Sequence, residues 1–384
     1  MATALLAGAF GQRNPGDDAL LDAFARELPG WTCVATSRAP RETAARHGLA
    51  AVDARRPRRV AGAMARADAL VIAGGTVFKT LPPSSGRAPL ALLRNALALA
   101  ALARLRGRPV ALLGVGAGRL ASPASRRLAR LLVRCADLLV VRDEESAATL
   151  AAAGAPTPFR VGADAAWGLL APLRATPDPA RRGDAIVVAL GRHGGGPGLL
   201  ARLAEALAAS APTALARIQP WQVGDADGAA DGLDDEARAH VLAIALRRRG
   251  CRAEVVPPPA SLTDARELVE GARLVVATRF HATVAAAAAG VPFLALAHEQ
   301  KLAGIARRLG QPAVDAAAPA PELARVLAAA LAQPPAPRAA VAAEQAAAAE
   351  GFRLLRLLLS RGALPPRESD DIAALPLAPT EGIA

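Results

Sequence analysis

The sequence contains no tyrosine, and aromatic residues make up only 3% of its 384 residues. Lysine is nearly as scarce, with only Lys79 and Lys301 beside a large excess of arginine. The formal net charge of +12 would by itself suggest nucleic-acid binding. The arginines are scattered, however, and residues with G+C-rich codons crowd the chain, so codon bias explains much of the excess. Because there are too few rings to stack bases, we expect no nucleic-acid partner.

Cysteine is also scarce, and its pattern excludes two classes of site. Cys33, Cys135 and Cys251 are odd in number and far apart, without CxxC or zinc-site spacing. We therefore expect neither a disulfide framework nor a bound metal. The N-terminus lacks the basic region and long apolar run of a signal peptide. No stretch offers the roughly 20 uncharged residues that span a bilayer, so we expect a cytoplasmic protein.

The length suits two domains, and one pattern repeats along them. An apolar strand is followed by glycine or charge and then by a helix, which predicts an α/β fold with mostly parallel sheets. We divide the chain into an N-terminal domain, a linker rich in proline and arginine, a C-terminal domain, a last helix and a disordered tail. The corresponding residues are 1–172, 173–184, 185–335, 336–362 and 363–384.

Two segments lack a clear periodic pattern. Residues 41–59 are polar and rich in arginine, and we predict that they are irregular. Residues 191–196 contain three consecutive glycines and His193, and they predict a mobile loop near the cleft.

Glycine or charge follows each predicted strand of the N-terminal domain. A glycine-rich loop covers residues 8–16, Gly74 and Gly75 end the next clear strand, Gly116 belongs to a third loop, and Arg142 ends the last strand. Parallel α/β sheets bind their ligands at the carboxyl ends of the strands. These groups are therefore expected on one rim.

A strand–helix–strand unit in the C-terminal domain carries the most informative side chains. Apolar runs at 274–277 and 291–297 predict two buried strands, and the alanine-rich segment between them predicts a helix that ends at Gly290. Such strands should be parallel, with a right-handed crossover, so their carboxyl ends share one edge of the sheet.

Two permanent cations and one titratable ring are expected at that edge. Arg279 and His281 follow the first strand, and Lys301 follows the second. With a helix N-terminus pointing at the same place, the edge is a candidate site for a small, highly charged anion.

Structural interpretations compete with these functional ones. Asp17 or Asp18 at a helix start is suited to N-capping. Arg142 is followed by acidic residues with which it can pair on a helix surface. His281 is close enough to a helix start to act as a cap.

Eight short motifs occur in order between residues 4 and 312. They are Asn14-x-Gly16-Asp17 after the first glycine loop, Gly74-Gly75, Gly114-Val-Gly116, Arg142-Asp143-x-Glu145-Ser146, Ala163-Asp164, Arg279-Phe-His281-Ala, Ala289-Gly-Val-Pro292 and Lys301. In this order and spacing the chain resembles the polysaccharide pyruvyl transferases, nearest to the bacterial cell-wall ketal-pyruvyl transferase branch.

The resemblance implies two Rossmann-like domains that face each other across a cleft, as in GT-B glycosyltransferases. It also implies that the pyruvyl unit of phosphoenolpyruvate is moved onto two hydroxyls of a sugar, which forms a cyclic ketal. Phosphoenolpyruvate is then a co-substrate, and no separate cofactor is expected. By the same resemblance, His281 is the general acid that protonates the methylene carbon. The implied substrate-binding residues are Arg142, Arg279, Lys301, Asn14, Asp17, Gly74, Gly75 and Gly116.

The chain departs from that family pattern at three places. The segment Gly75-Thr76-Val-Phe-Lys79 stands where relatives usually have a third glycine and a later aspartate. Phe280 replaces the commoner leucine between the arginine and the histidine, and Asp164 is not followed by proline.

Two other functions fit the same pattern. A GT-B glycosyltransferase would need a nucleotide pocket in the C-terminal domain, with a carboxylate for the ribose, for which Glu299 is the candidate. A non-catalytic anion-binding protein could keep the same fold. The resemblance allows a lipid-linked acceptor, with a basic helix at 125–135 touching the inner face of a membrane, and it leaves monomer and homo-oligomer open.

Overall fold

The computed structural model of the chain describes residues 1–156, 159–170, 183–191, 198–223 and 233–361. Within these ranges, two parallel β-sheets form the framework, one in each half of the chain. Most of the predicted linker, the predicted mobile loop beyond Gly191 with its His193, and the predicted tail lie outside the described residues.

The first sheet has eight strands in the described part of the chain. They are β1 (Ala2–Phe10), β2 (Trp31–Ser37), β3 (Ala50–Asp53), β4 (Ala69–Ala73), β5 (Thr76–Phe78), β6 (Val110–Ala117), β7 (Leu138–Val141) and β8 (Arg160–Val161). Their order is β3-β2-β1-β4-β6-β7-β8, and β5 pairs with β6 off this path. All of these pairings are parallel.

The second sheet has six strands in the same described ranges. They are β9 (Ile186–Leu190), β10 (Leu215–Pro220), β11 (Arg252–Val255), β12 (Leu274–Ala277), β13 (Phe293–Ala297) and β14 (Ala313–Asp315). Their order is β11-β10-β9-β12-β13-β14, again with parallel pairing. The chain reverses direction across the sheet between β9 and β12, and between β1 and β4 in the first sheet. Ligands of doubly wound sheets bind at such switch points.

Helices connect the strands and cover both sheets. Around the first sheet they are α1 (Pro15–Glu27), α2 (Pro40–His47), α3 (Pro57–Arg66), α4 (Ala91–Leu105), α5 (Pro123–Cys135) and α6 (Glu144–Ala152). Around the second they are α7 (Leu199–Ser210), α8 (Asp235–Arg247), α9 (Leu262–Val269), α10 (Phe280–Ala288), α11 (Gln300–Arg308) and α12 (Ala320–Leu331), and the last helix is α13 (Arg338–Arg361).

The predicted strand–helix–strand unit is confirmed as β12, α10 and β13. All four residues of β12 are buried, and β12 pairs in parallel with β13. In α10, eight of the nine residues are buried, because this helix is enclosed by neighbouring elements on nearly every side. Alanine suits such a helix, since its small side chain permits close approach without loss of helix propensity.

The prediction that residues 41–59 are irregular is wrong. This segment contributes to α2, β3 and the start of α3. Of the ten residues of α3, only Val60, Ala63 and Met64 are buried. Short, arginine-rich elements with so few inward-facing residues carry little hydrophobic periodicity, and the pattern is therefore weak in the sequence.

The last helix returns to the N-terminal half of the chain. It packs against β6 and β7 and against the 3₁₀ turn Ala165–Leu169. Phe352 of this helix meets Phe24 of α1 edge-on, with ring centroids 5.0 Å apart. Among the described residues, no helix combines the length and apolar character needed to cross a bilayer.

Polar contacts also join the two halves across the cleft. Gln222, after β10, donates from its side-chain nitrogen to the carbonyl oxygen of Gln12 at 2.9 Å. Glu145 of α6 pairs with Arg307 and Arg308 of α11. The carboxyl ends of both sheets are therefore held face to face.

Candidate active site

A cavity of about 100 Å³ opens between the carboxyl ends of the two sheets. Both halves of the chain contribute its lining, which consists of Asn14, Asp17, Gly75, Thr76, Arg142, Asp164, Trp221, Arg279, Phe280, His281 and Lys301. Seven of the nine residues predicted for the site lie in this lining. The other two, Gly74 and Gly116, lie behind it. The substrate-binding and catalytic roles of all nine stay predictions.

Arg142 enters the cavity from the end of β7, and its side chain is only 4% exposed. Its Nε donates to Oδ2 of Asp143, and its Nη2 donates to Oγ1 of Thr76, both at 3.1 Å. Its guanidinium carbon lies 5.0 Å from the centre of the Phe280 ring, a cation–π distance. Asp164 lies 3.7 Å from Nη1. The predicted pairing with Asp143 is present, in a buried setting rather than on a helix surface.

Arg279 enters from the end of β12 and is more open, at 15% exposed. Its Nη2 donates to Oδ2 of Asp235 at 2.6 Å. Asp235, at the start of α8, is fully buried and also accepts from the backbone nitrogens of Trp221 and Gln222. These bonds fix the carboxylate, which in turn fixes the outer edge of the guanidinium. The Nε of Arg279 is buried and has no hydrogen-bond partner among the described residues.

Each arginine lies flat against a glycine. A Cβ built on Gly116 would lie 2.6 Å from Nη2 of Arg142, and one built on Gly191 would lie 2.4 Å from Nε of Arg279. Both distances are far below van der Waals contact. Gly116, predicted to contact substrate, thus makes room for a side chain that lines the cavity. Gly74 is likewise packed, against Leu20 of α1.

His281 lies in the first turn of α10, beside a buried carboxylate. Arg279 is the N-cap residue of this helix and makes no side-chain cap bond, and His281 does not cap it. Its Nε2 lies 3.6 Å from Oδ1 of Asp164, which is close enough for an ion pair but long for a hydrogen bond. The Phe280 ring meets the imidazole edge-on at 5.4 Å. On the other side, Gly16 approaches so closely that a Cβ there would lie 1.9 Å from Nδ1.

Asp164 is the carboxylate that links His281 to Arg142. Burial works to raise its pKa, but His281 and Arg142 outweigh burial and hold the pKa of Asp164 below its ordinary value. Asp164 is therefore ionised at neutral pH. Its Oδ1 accepts from the backbone nitrogen of Ala166, while Oδ2 is buried without a hydrogen-bond partner in the described part of the chain.

Both lysines of the protein converge on one carboxylate. Lys301, at the start of α11, lies 2.8 Å from Oε2 of Glu299. Lys79, after β5 in the other half of the chain, pairs with Oε1 of the same glutamate. Burial opposes ionisation, but the two lysines outweigh it and hold the pKa of Glu299 far below its ordinary range. Glu299, the carboxylate that a nucleotide-sugar enzyme would need for a ribose, is thus already engaged.

Asn14 and Asp17 form a small unit at the start of α1. Asn14 is the N-cap, and its Oδ1 accepts from the backbone nitrogen of Gly16 at 3.2 Å. Its Nδ2 donates to Oδ2 of Asp17 at 2.8 Å. The interpretation of Asp17 or Asp18 as the N-cap is therefore wrong. Asp18 points away from the cavity and pairs with Arg46 at 2.7 Å.

Another histidine, His298, precedes Glu299 near the cavity. Burial is the main cause that lowers the pKa of His298 to about 4, and it is neutral at physiological pH. His193 lies outside the described residues. Across the described ranges, no three His, Cys, Asp or Glu side chains are grouped so that they could hold a metal ion.

Sequence reasoning missed the groups that hold the cations in place. Asp235 lies behind Arg279, and Glu299 lies behind Lys301. Thr76, Lys79 and Phe280, which depart from the family pattern, also contact Arg142 or Glu299. For these three residues, the departure itself was the signal in the sequence that could have identified them.

Several solved structures of UDP-N-acetylglucosamine 2-epimerases, and of a protein in complex with UDP, have a similar fold. Anabaena HepE, in complex with UDP and glucose, has a TM-score of 0.59 at 16% identity, over 94% of this chain and 100% of that one. The UDP-GlcNAc 2-epimerase of Neisseria meningitidis, bound to UDP-GlcNAc, has a TM-score of 0.57 at 12% identity, over 94% and 100%. The UDP-N-acetylglucosamine 2-epimerase of Rickettsia bellii has 0.59 at 12%, over 94% and 97%.

These identities are low, and the likeness establishes the fold alone. It confirms the predicted architecture of two Rossmann-like domains that face each other across a cleft. None of the curated proteins compared with the sequence matches it at a significant level. The family model for polysaccharide pyruvyl transferase matches residues 14–300, which include every lining residue of the cavity except Lys301. The chain therefore belongs to the polysaccharide pyruvyl transferase family.

Proposed function

We propose that this protein transfers the pyruvyl group of phosphoenolpyruvate onto two hydroxyls of one sugar in a cell-surface glycan or its precursor, including a lipid-linked one. The product is a cyclic ketal, and phosphate is released. One observation carries the proposal. Arg142, Arg279, Lys301 and His281 come from both halves of the chain and line one small cavity.

The charge of the cavity suits this donor. Phosphoenolpyruvate carries a carboxylate and a phosphate, each of which a guanidinium can bind through two parallel hydrogen bonds. Arg279 lines the cavity, and among the described residues its Nε has no hydrogen-bond partner. Lys301 adds a mobile point charge once it exchanges Glu299 for the ligand.

The chemistry begins with a proton transfer to carbon. His281, whose Nε2 lies 3.6 Å from Oδ1 of Asp164, donates its proton to the methylene carbon. The neighbouring carbon becomes oxocarbenium-like and is attacked by the first sugar hydroxyl. The bond between this carbon and the phosphate oxygen then breaks, and the second hydroxyl of the same sugar closes the ketal. Of the two hydroxyl protons, one replaces the proton now in the methyl group and the other leaves with phosphate, so atoms and charge balance.

Calorimetric titration of the purified chain with phosphoenolpyruvate tests the donor half without an acceptor. We expect one saturable site, no comparable binding of UDP-glucose, and loss of phosphoenolpyruvate binding when Arg279 is changed to Gln. Transfer is tested by incubating phosphoenolpyruvate with a panel of methyl pyranosides and disaccharides. Phosphate release should match the acceptor mass gained as a pyruvyl ketal. Binding of UDP-glucose in place of phosphoenolpyruvate would favour a nucleotide-sugar glycosyltransferase instead.

A further inference from the structure

Asp17 is one of two carboxylates that line a cavity proposed for an anion, and the other, Asp164, lies beside His281 and Arg142. It lies in the first turn of α1 and lines the cavity with Arg279, Lys301 and His281. A carboxylate repels the carboxylate and phosphate of the proposed donor, so donor binding does not explain its presence. A group that accepts a proton or a hydrogen bond from a hydroxyl would explain it.

Helix capping does not explain Asp17 either, because Asn14 is the N-cap. The only side-chain hydrogen bond of Asp17 among the described residues is the one that it accepts from Asn14 through Oδ2. No arginine, lysine or histidine nitrogen of the described chain lies within 4.0 Å of it. The adjacent Asp18 shows what a structural carboxylate looks like here, since it pairs directly with Arg46.

The proposed reaction needs a base as well as an acid. Each attacking hydroxyl must lose its proton as its oxygen bonds to the electrophilic carbon. The two hydroxyls release two protons, and His281, once it has protonated the carbon, can take back only one of them, so the other proton needs a second acceptor. The acid comes from the C-terminal half of the chain, and the start of α1 meets its ring through Gly16. Asp17 is the next residue along that helix.

We propose that Asp17 is the base that accepts the proton of the first attacking sugar hydroxyl. This inference rests on the proposed function. The oxygen–hydrogen bond breaks toward the Asp17 carboxylate as the carbon–oxygen bond forms. That proton then leaves with the departing phosphate, and the second hydroxyl returns its proton to the now neutral His281. Asn14 holds the carboxylate through Oδ2 and thereby directs Oδ1 to the substrate.

The electrostatics of Asp17 suit this role. Burial raises the pKa of its carboxyl, His281, Lys301 and Arg279 act to lower it, and Asp18 acts to raise it further. The net effect is a raised pKa, so Asp17 is a stronger base than an ordinary aspartate. Because its pKa is raised in the folded state, ionised Asp17 costs stability at neutral pH. This cost decreases as the pH falls through the folded-state pKa and is gone below the pKa of the unfolded chain.

Asp17→Asn tests the proposal, with Asp18→Asn as the matched control and Asp17→Glu as the conservative variant. For Asp17→Asn we expect kcat to fall about 10²–10⁴-fold, the usual contribution of a general base. Phosphoenolpyruvate should bind as tightly as to the wild type or more tightly, because one negative charge is removed. The melting temperature should be unchanged or higher. Asp17→Asn should also abolish the acidic limb of the pH profile of kcat. Asp17→Glu should restore that limb and part of kcat.

Asp18→Asn should keep a kcat close to that of the wild type, because Asp18 is outside the cavity lining and pairs with Arg46. Transfer by Asp17→Asn within a few-fold of the wild-type rate would overturn the base assignment alone. Loss of phosphoenolpyruvate binding in Asp17→Asn would also overturn it and make Asp17 a binding residue. Failure of the wild type to bind phosphoenolpyruvate, or to pyruvylate any member of the acceptor panel, would instead contradict the proposed function itself.

Discussion

Arg142 and Arg279 occupy equivalent positions in the two halves of the molecule, yet they are held differently. Each follows a buried strand, precedes a helix and lies against a glycine. Arg142 is almost wholly buried, and its donors are directed at Asp143, Thr76 and Asp164. Arg279 is more open, is fixed on one edge by Asp235, and retains a donor without a partner in the described chain.

This difference separates two uses of the same side chain. Arg142 organises the cavity, because it links the first sheet to Asp164 and Phe280, the two groups that contact His281. Arg279 lines the cavity, and its Nε has no hydrogen-bond partner in the described part of the chain, as expected of a residue that binds an anion. We therefore expect Arg142 to govern stability and the geometry of the cavity, and Arg279 to govern donor binding.

The largest effect is expected at His281. His281→Gln should lower kcat by about 10²–10⁴-fold, because the carbon is no longer protonated by a positioned acid. Phosphoenolpyruvate should still bind within a few-fold of the wild type. His298→Gln is the matched control, and a kcat near that of the wild type is expected because His298 is neutral and outside the cavity lining. Equal losses in both variants would argue for a structural effect.

Two arginine-to-lysine variants test the contrast itself. Arg279→Lys should weaken phosphoenolpyruvate binding by about 10–100-fold, since a hydrogen bond to a charged group contributes roughly 1.5–3 kcal/mol. Arg142→Lys keeps a charge but loses the fork that contacts Asp143 and Thr76, and it should chiefly lower the melting temperature. Titration calorimetry and thermal unfolding of both proteins measure the two effects. Equal losses of phosphoenolpyruvate affinity and of melting temperature in the two variants would show that the two arginines do not differ in role.

Gly116 lies against Arg142 and Gly191 lies against Arg279, so substitutions of these glycines provide a second test of the difference between the two arginines. In Gly116→Ala the new methyl group meets a guanidinium that cannot move freely, so we expect a stability loss of about 1–3 kcal/mol. In Gly191→Ala the new methyl group displaces Arg279 at Nε. We therefore expect the loss of free energy of phosphoenolpyruvate binding to be larger than the loss of free energy of unfolding. Denaturant unfolding and donor titration of the pair give the comparison. A larger stability loss in Gly191→Ala would reverse our assignment.

The smallest effect is expected at the pair that joins the two halves. Lys79 and Glu299 are each about a quarter to a third exposed, so their ion pair should contribute no more than about 1 kcal/mol to stability. In Lys79→Met, Glu299 would hold Lys301 more firmly and weaken phosphoenolpyruvate binding a few-fold. High salt should reduce that difference. Tighter donor binding in the variant would contradict this role for Glu299.

Much of this arrangement could be predicted from local pattern. The buried strands and the alanine-rich helix α10 are strongly periodic, and parallel pairing then brings Arg279, His281 and Lys301 to one edge. The groups behind the cations could not be predicted in this way. Asp235 is 44 residues from Arg279 in the chain, and Lys79 is 220 residues from Glu299. Such pairs depend on how the sheets and domains pack, which local periodicity does not encode.

The irregularity predicted for residues 41–59 failed for a related reason. The helices there bury few side chains and expose many arginines, so their apolar signal is weak. The departures at Thr76, Lys79 and Phe280 show the converse. Each weakened the match to the family pattern, and each proved to contact a side chain of the cavity or the carboxylate behind it.

Calorimetric titration with phosphoenolpyruvate, run in parallel on the wild type, Arg279→Lys and His281→Gln, tests the central claim most directly. We expect the wild type and His281→Gln to bind one equivalent with similar affinity, and Arg279→Lys to bind about 10–100-fold more weakly. The claim that this cavity holds the donor would be contradicted if phosphoenolpyruvate did not bind the wild type, or if it bound Arg279→Lys equally well.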